Sequence, residues 1–125
     1  MPEPPFVPES GRLASIRHAL RGLAEMLREE ANARLHLAAG LAAVALGLVL
    51  GLGRAEWTAV ILAIGLVWAA EALNTALEDL CDLVSPEFHP LVRRAKDVAA
   101  GGVLCAALAA AVVGLLVFGP ALAEF

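Results

Sequence analysis

Apolar residues run almost unbroken through three stretches of this chain, at about 35–53, 57–77 and 98–118. Each reaches the roughly 20 residues that a helix needs to cross a hydrocarbon core about 30 Å thick. The first opens on Leu35 and His36 and carries no charge after them. The second contains Glu71 and Asn74. The third is built from Ala, Val, Leu and Gly. Between the first two, Arg54-Ala55-Glu56 leaves room only for a tight hairpin, whereas the link from Glu78 to Asp97 is longer and charged. Ahead of the spans, Leu13, Ile16, Leu20, Leu23 and Leu27 recur at three- and four-residue steps, with arginines and Glu25 on other faces. That spacing predicts an amphipathic helix over 10–34, lying flat on the membrane surface or packing its stripe on another protein helix. The Pro-rich, acidic residues 1–9 read as a disordered lead, and 119–125 as a tail. The predicted class is an all-α membrane protein, with three transmembrane helices at 35–118 preceded by an interfacial helix.

Composition agrees. At 125 residues the chain suits one domain, and 60% apolar with only 18% charged is more grease than one small soluble core buries. A net charge of −4 gives no footing for nucleic acid. Cys81 and Cys105 lie in or beside apolar runs, which argues against a disulfide framework. Lys and Arg counts set the expected orientation. Arg12, Arg17, Arg21, Arg28 and Arg34 precede the first span, and Arg93, Arg94 and Lys96 lie in the second link. The first hairpin has Arg54 alone, and the tail has none. The N-terminus and the second link are expected in the cytoplasm, and the late first apolar run does not look like a cleaved signal peptide.

A charge in a membrane helix costs about 2.5–3.5 kcal/mol at its centre on insertion scales, so Glu71 needs a reason to be there. At about 100° per residue, Glu71, Asn74, Glu78 and Asp82 fall within about 80° of one another and form one stripe. At 1.5 Å per residue Glu71 lies roughly 21 Å in from Trp57, and Glu78 roughly 31 Å. The stripe therefore climbs from the inner leaflet to the headgroup level, where a lipid hydroxyl meets a water-soluble reactant. The segments EEANARLH and RRAKD bring Glu30, Asn32, Arg34, His36, Arg93, Arg94, Lys96 and Asp97 to the same boundary.

Carboxylates, an amide and a lysine together suit phosphoryl transfer. Hard oxygen ligands hold Mg²⁺ with the phosphates of a nucleotide, and a lysine balances phosphate charge. A partly desolvated carboxylate can take a proton from a hydroxyl. The chain has no GxxxxGK[ST] loop, no GxGxxG loop and no HRD-type segment, which excludes the soluble kinase folds. Two other classes stay open at this stage. A conducting helical subunit would need one buried carboxylate, and an assembly partner would use the stripe to bind a neighbouring helix. His36 and His89 are too isolated to argue for zinc.

The run EALNTALEDLCD, from Glu71 to Asp82, resembles the signature of the small bacterial membrane diacylglycerol kinase and undecaprenol kinase family. That signature has the form E-x-[apolar]-N-[ST]-[SA]-[apolar]-E-x-x-[apolar]-D. Cys81 takes an apolar place usually filled by Val. SPEFHPLVRRAKD, EEANARLHL and the three-span layout are also similar to the family, and the likeness covers about residues 13–118. The resemblance implies a homotrimer in the bacterial inner membrane, with shared active sites on the cytoplasmic side that use ATP and Mg²⁺. It implies Glu71 as general base, Asn74 as a positioning group, and Glu30 and Glu78 as holders of the metal on the ATP phosphates. Lys96, Asp97 and Asp82 would join Glu30 and Glu78 around the nucleotide, and Arg34 would join Glu71 and Asn74 around the lipid. The ExNxRxH segment, Glu30 to His36, is closer to the undecaprenol kinases, so undecaprenol is the favoured lipid and diacylglycerol the alternative.

Overall fold

The computed structural model describes residues 1–6 and 11–125. Residues 7–9 of the expected lead, and the expected helix start at residue 10, lie outside the described residues. Residues 1–6 are exposed and carry no regular secondary structure. Four helices follow: α1 (Arg12–Glu29), α2 (Ala31–Leu50), α3 (Arg54–Val84) and α4 (Pro90–Ala123). The last three are long and apolar enough to cross a membrane.

The junction of α1 and α2 differs from the periodicity reading, which ran one helix to Arg34. The break falls at Glu30, whose backbone is extended at φ −106° and ψ 116°. Its own N–H still closes the last turn of α1 on the Met26 carbonyl at 2.8 Å. The Arg34 guanidinium then reaches back and donates to the carbonyls of Leu27 at 3.0 Å and Arg28 at 2.9 Å. Helix C-termini leave such carbonyls without intrahelical partners, and a cation there also suits the helix dipole.

The α2–α3 hairpin is tight because glycine permits it. Gly51 ends α2 in the left-handed region, at φ 68° and ψ 50°, and its N–H and that of Leu52 both donate to the Gly47 carbonyl. At the start of α3 the Glu56 carboxylate accepts from the Gly53 N–H at 2.7 Å. Gly47 has no side chain to spare, since a Cβ there would lie 2.8 Å from the Trp57 ring and 2.9 Å from Leu52. The α3–α4 link is five residues, 85–89, and its end is capped: His89 Nδ1 accepts from the Leu91 N–H at 3.1 Å, and Pro90 occupies the first helical position. Short links make α2, α3 and α4 antiparallel neighbours. The α3–α4 pair has the most extensive packing.

At 31 residues α3 is roughly 46 Å long, so its polar C-terminal turns project beyond a hydrocarbon core. Little of the chain is buried within itself. The buried apolar side chains among the described residues are Met26, Ala33, Val60, Val67, Ala106 and Val117, while Leu48, Leu62, Leu73, Leu115 and Leu116 face outward. Such an outer surface suits lipid tails or neighbouring chains as solvent, since neither exacts a hydrophobic cost.

The Gly47 contact yields a stability test. Gly47→Val forces Trp57 and Leu52 aside, and overpacking of this kind costs about 1–3 kcal/mol. The expected result is a lower midpoint of thermal unfolding in detergent. An unchanged midpoint would show that the hairpin yields freely at this point.

Candidate active site

The 3.6-residue period of α3 turns Glu71, Asn74, Glu78 and Asp82 to one side, and burial falls along that stripe. Glu71 is 4% exposed and is the buried charged residue among those described; Asn74 and Glu78 are half-buried, and Asp82 is exposed. Two oxygens of the stripe are buried without a hydrogen-bond partner. Glu71 Oε1 lies 3.0 Å from His36 Nε2 on α2, but without the geometry of a hydrogen bond, so this oxygen is left without a hydrogen-bond partner. Asn74 donates from Nδ2 to Glu78 Oε1 over a long 3.4 Å, and its Oδ1 is buried and unpaired. Buried acceptors without donors are costly, by about 1–3 kcal/mol each, so these two oxygens are candidates for binding.

What would satisfy them follows from their chemistry. Unpaired carboxylate and amide oxygens accept from a hydroxyl or coordinate a hard cation, and the Asn74–Glu78 pair fits Mg²⁺ in this respect. Among the described residues no group of three or more His, Cys, Asp or Glu side chains is gathered closely enough to hold a metal ion. Glu30 does not join Glu78 in such a cluster within this chain. It sits half-buried at the α1–α2 break.

Two cavities flank the stripe. At one end, a cavity of about 290 Å³ lies among α2, α3 and α4. Its walls are chiefly small or apolar, including Ala39, Gly40, Ala43, Trp68 and Ala107, and His36 is its one ionisable lining residue. At the other end, a cavity of about 280 Å³ opens beside the α3–α4 link, lined by Asp82, Phe88, His89, Arg93, Lys96 and Asp97. Lys96 Nζ bonds Asp82 Oδ1 at 2.5 Å, tying α4 to α3, and Arg93 bonds Asp97 Oδ2 at 2.6 Å within α4. One helix face therefore leads from an apolar cavity, past a buried carboxylate and an unpaired amide oxygen, to a polar cavity holding a lysine.

The sequence-derived site residues divide accordingly. The structure pairs Asn74 with Glu78 and Lys96 with Asp82, and places Asp97 on the rim of the same polar cavity. Arg34 spends its guanidinium on the end of α1. His36, which the sequence brought to the same boundary and used for lipid preference, was given no contact with Glu71 there; the structure sets the two 3.0 Å apart. A signal for its contact existed, since His36 stands 15 residues before Gly51 and Glu71 18 residues after Gly53. Counting outward from the tight turn puts both at comparable depth.

Comparison with known proteins follows the same line. Residues 17–118 match the family model described as prokaryotic diacylglycerol kinase. The chain is 42% identical over 108 residues to a Bacillus subtilis protein named undecaprenol kinase, covering 86% of this chain and 88% of that one. It is 40% identical over 103 residues to a Synechocystis protein named diacylglycerol kinase, covering 82% of this chain and 59% of that one. Over 92 residues it is 35% identical to a Sinorhizobium protein of the latter name, covering 74% of this chain and 66% of that one.

Arg34 is open to a direct test. Arg34→Ala removes two hydrogen bonds from the end of α1, a loss of about 1–2 kcal/mol locally. Amide hydrogens in the last turn of α1 are expected to exchange roughly tenfold faster while those of α3 do not change. Equal exchange in both proteins would deny Arg34 this capping role.

Proposed function

We propose that this chain, which belongs to the prokaryotic diacylglycerol kinase family and is a multi-pass membrane lipid kinase, phosphorylates the primary hydroxyl of undecaprenol with ATP and Mg²⁺ at the cytoplasmic interface. The observation that carries this reading is the continuous face of α3 between an apolar and a polar cavity. A lipid alcohol with a long apolar tail and a triphosphate approach such a face from opposite ends. Family membership sets aside conduction and passive assembly as the main activity. The larger identity to the undecaprenol kinase than to the two diacylglycerol kinases favours the prenol, and those two relatives support diacylglycerol as the second reading.

In this reading the small residues around His36 receive the part of the lipid nearest its hydroxyl, which reaches Glu71 and Asn74. Glu71 takes the hydroxyl proton as the lipid oxygen forms its bond to the terminal phosphorus, and the bond from that phosphorus to the ADP oxygen breaks. Burial serves this role by keeping bulk water from the oxygens that meet the lipid hydroxyl. Asn74 orients the reacting oxygens. Lys96, released from Asp82 or shared with it, balances phosphate charge, and Asp82 and Asp97 line the nucleotide cavity. Glu78 and Glu30 are the metal-holding carboxylates, with Glu30 brought in from a neighbouring chain or by closure of the α1–α2 junction. Mg²⁺, when bound, neutralises charge on the transferring phosphates. The outward leucines and the open site support a homotrimer with α1 on the membrane surface, and the arginine distribution supports a cytoplasmic N-terminus.

The deciding experiment offers undecaprenol and diacylglycerol separately, at equal mole fraction in mixed micelles, with labelled ATP and with or without Mg²⁺. Label is expected on undecaprenol, and only with the metal. Label mainly on diacylglycerol would exchange the two readings, and no label on either from folded protein would remove both.

Two substitutions probe the roles. Glu71→Gln keeps the shape and is expected to lower turnover by about 10²–10⁴-fold, the usual cost of losing a general base, with ATP binding retained. Turnover at the wild-type level would take that role from Glu71. Glu78→Gln is expected to raise the Mg²⁺ concentration for half-maximal activity several-fold, and an unmoved metal titration would strike Glu78 from the ligand set.

A further inference from the structure

Among the described residues, His36 is the ionisable side chain set against the buried Glu71 carboxylate. His36 Nε2 stands 3.0 Å from Glu71 Oε1, and a small rotation of either side chain brings the two into line to pass a proton. We propose that His36 is the relay through which the proton taken by Glu71 leaves the site. The inference rests on Glu71 being the base.

The need for an exit comes from burial. Once protonated, Glu71 must become a carboxylate again before the next lipid is phosphorylated, yet it is 4% exposed and has no direct opening to water. The neighbours on its own stripe do not help: Asn74 cannot take a proton, and Glu78 is engaged by Asn74. Arg34, two residues before His36 on α2, stays protonated and is occupied by the Leu27 and Arg28 carbonyls. The residues that α4 contributes to the cavity carry no ionisable group, Ala107, Ala110 and Phe118 among them. Among the described residues, His36 bridges the gap. Its side chain is 22% exposed, against 5% for that of Glu71, so one ring nitrogen meets the carboxyl group while the ring as a whole reaches outward.

The step balances simply. The Oε1–H bond of protonated Glu71 breaks, and its proton joins the lone pair on His36 Nε2. The carboxylate is restored and an imidazolium is formed. The imidazolium then gives a proton to water, and proton exchange with water at the two ring nitrogens restores the neutral tautomer whose Nε2 is unprotonated. No oxidant, metal or further reactant is used. Imidazole suits the task because it exchanges protons in the range of about pH 5 to 8. His36 touches no reacting atom and acts through Glu71, so it is a positioning residue in the transfer.

The test compares wild-type protein, His36→Gln and His36→Ala in micelles at saturating ATP and lipid, across that pH range. His36→Gln retains an amide of similar reach but cannot carry a proton. Both variants are expected to lose roughly 10–100-fold in kcat, near the lower edge of general acid–base effects, with both KM values within about twofold. Free imidazole is expected to restore part of the rate to His36→Ala. A His36→Gln protein with wild-type kcat would overturn the relay and leave His36 as a packing and hydrogen-bonding group. Loss of activity without any rescue by imidazole, and with raised KM, would overturn it as well. Glu71→Gln run alongside separates the two layers: if it is inactive while His36→Gln is fully active, only the relay falls, and if it is fully active the base assignment falls with it.

Discussion

Glu71 is an ionisable group in an apolar helical hairpin, and the surroundings answer only part of the cost of that burial. Unpartnered, a carboxylate there would be driven to neutralise or to pull the helix toward water. The chain brings α2 alongside with His36 at the height of Glu71, which requires the turn between α2 and α3 to be short and its register fixed. Gly51 in the left-handed region, Gly53 bonded to Glu56 and Gly47 under the Trp57 ring supply that rigidity at the far end of the hairpin. A contact at the site thus depends on three glycines roughly 16–27 Å away, since a helix transmits register at 1.5 Å per residue without slack.

The same constraint explains which parts of the molecule were readable in the sequence. Spanning helices announce themselves by length and apolar content, because the bilayer imposes both. The stripe from Glu71 to Asp82 was readable because helical periodicity is local and arithmetic. The break at Glu30 was not, since Ala31, Asn32 and Ala33 continue a helix on propensity. What ends α1 is an extended residue stabilised by Arg34 reaching seven residues back. The Lys96–Asp82 bond and the His36–Glu71 contact were invisible for a related reason: each crosses between helices, so neither leaves a periodic trace along one of them. Local order was legible, and the pairing between helices was not.

Polar groups in this chain are handled differently at the two ends of the stripe. Outside the apolar region Asp82, Lys96, Arg93 and Asp97 satisfy each other in ion pairs that water and salt can loosen at little cost. Inside, Glu71 and Asn74 keep unpaired oxygens in a setting where each is expensive. Stability alone would have removed them. Their presence next to a cavity fits the general observation that function is built from groups whose isolated energetics are poor.

The length of α3 has one more implication. Between Glu71 and Asp82 lie eleven residues of uninterrupted helix, roughly 16 Å of backbone that neither stretches nor folds. In the proposed transfer the buried carboxylate and the polar cavity are therefore held like marks on a ruler, and the protein has no joint in α3 with which to close the gap. The adjustment falls to the reactants: the phosphate chain has to lie along the helix, and the lipid has to ride at the one depth where its head meets Glu71. Selection among lipids would then act as a gauge of immersion, sensitive to how far a molecule sinks as much as to what its head is made of.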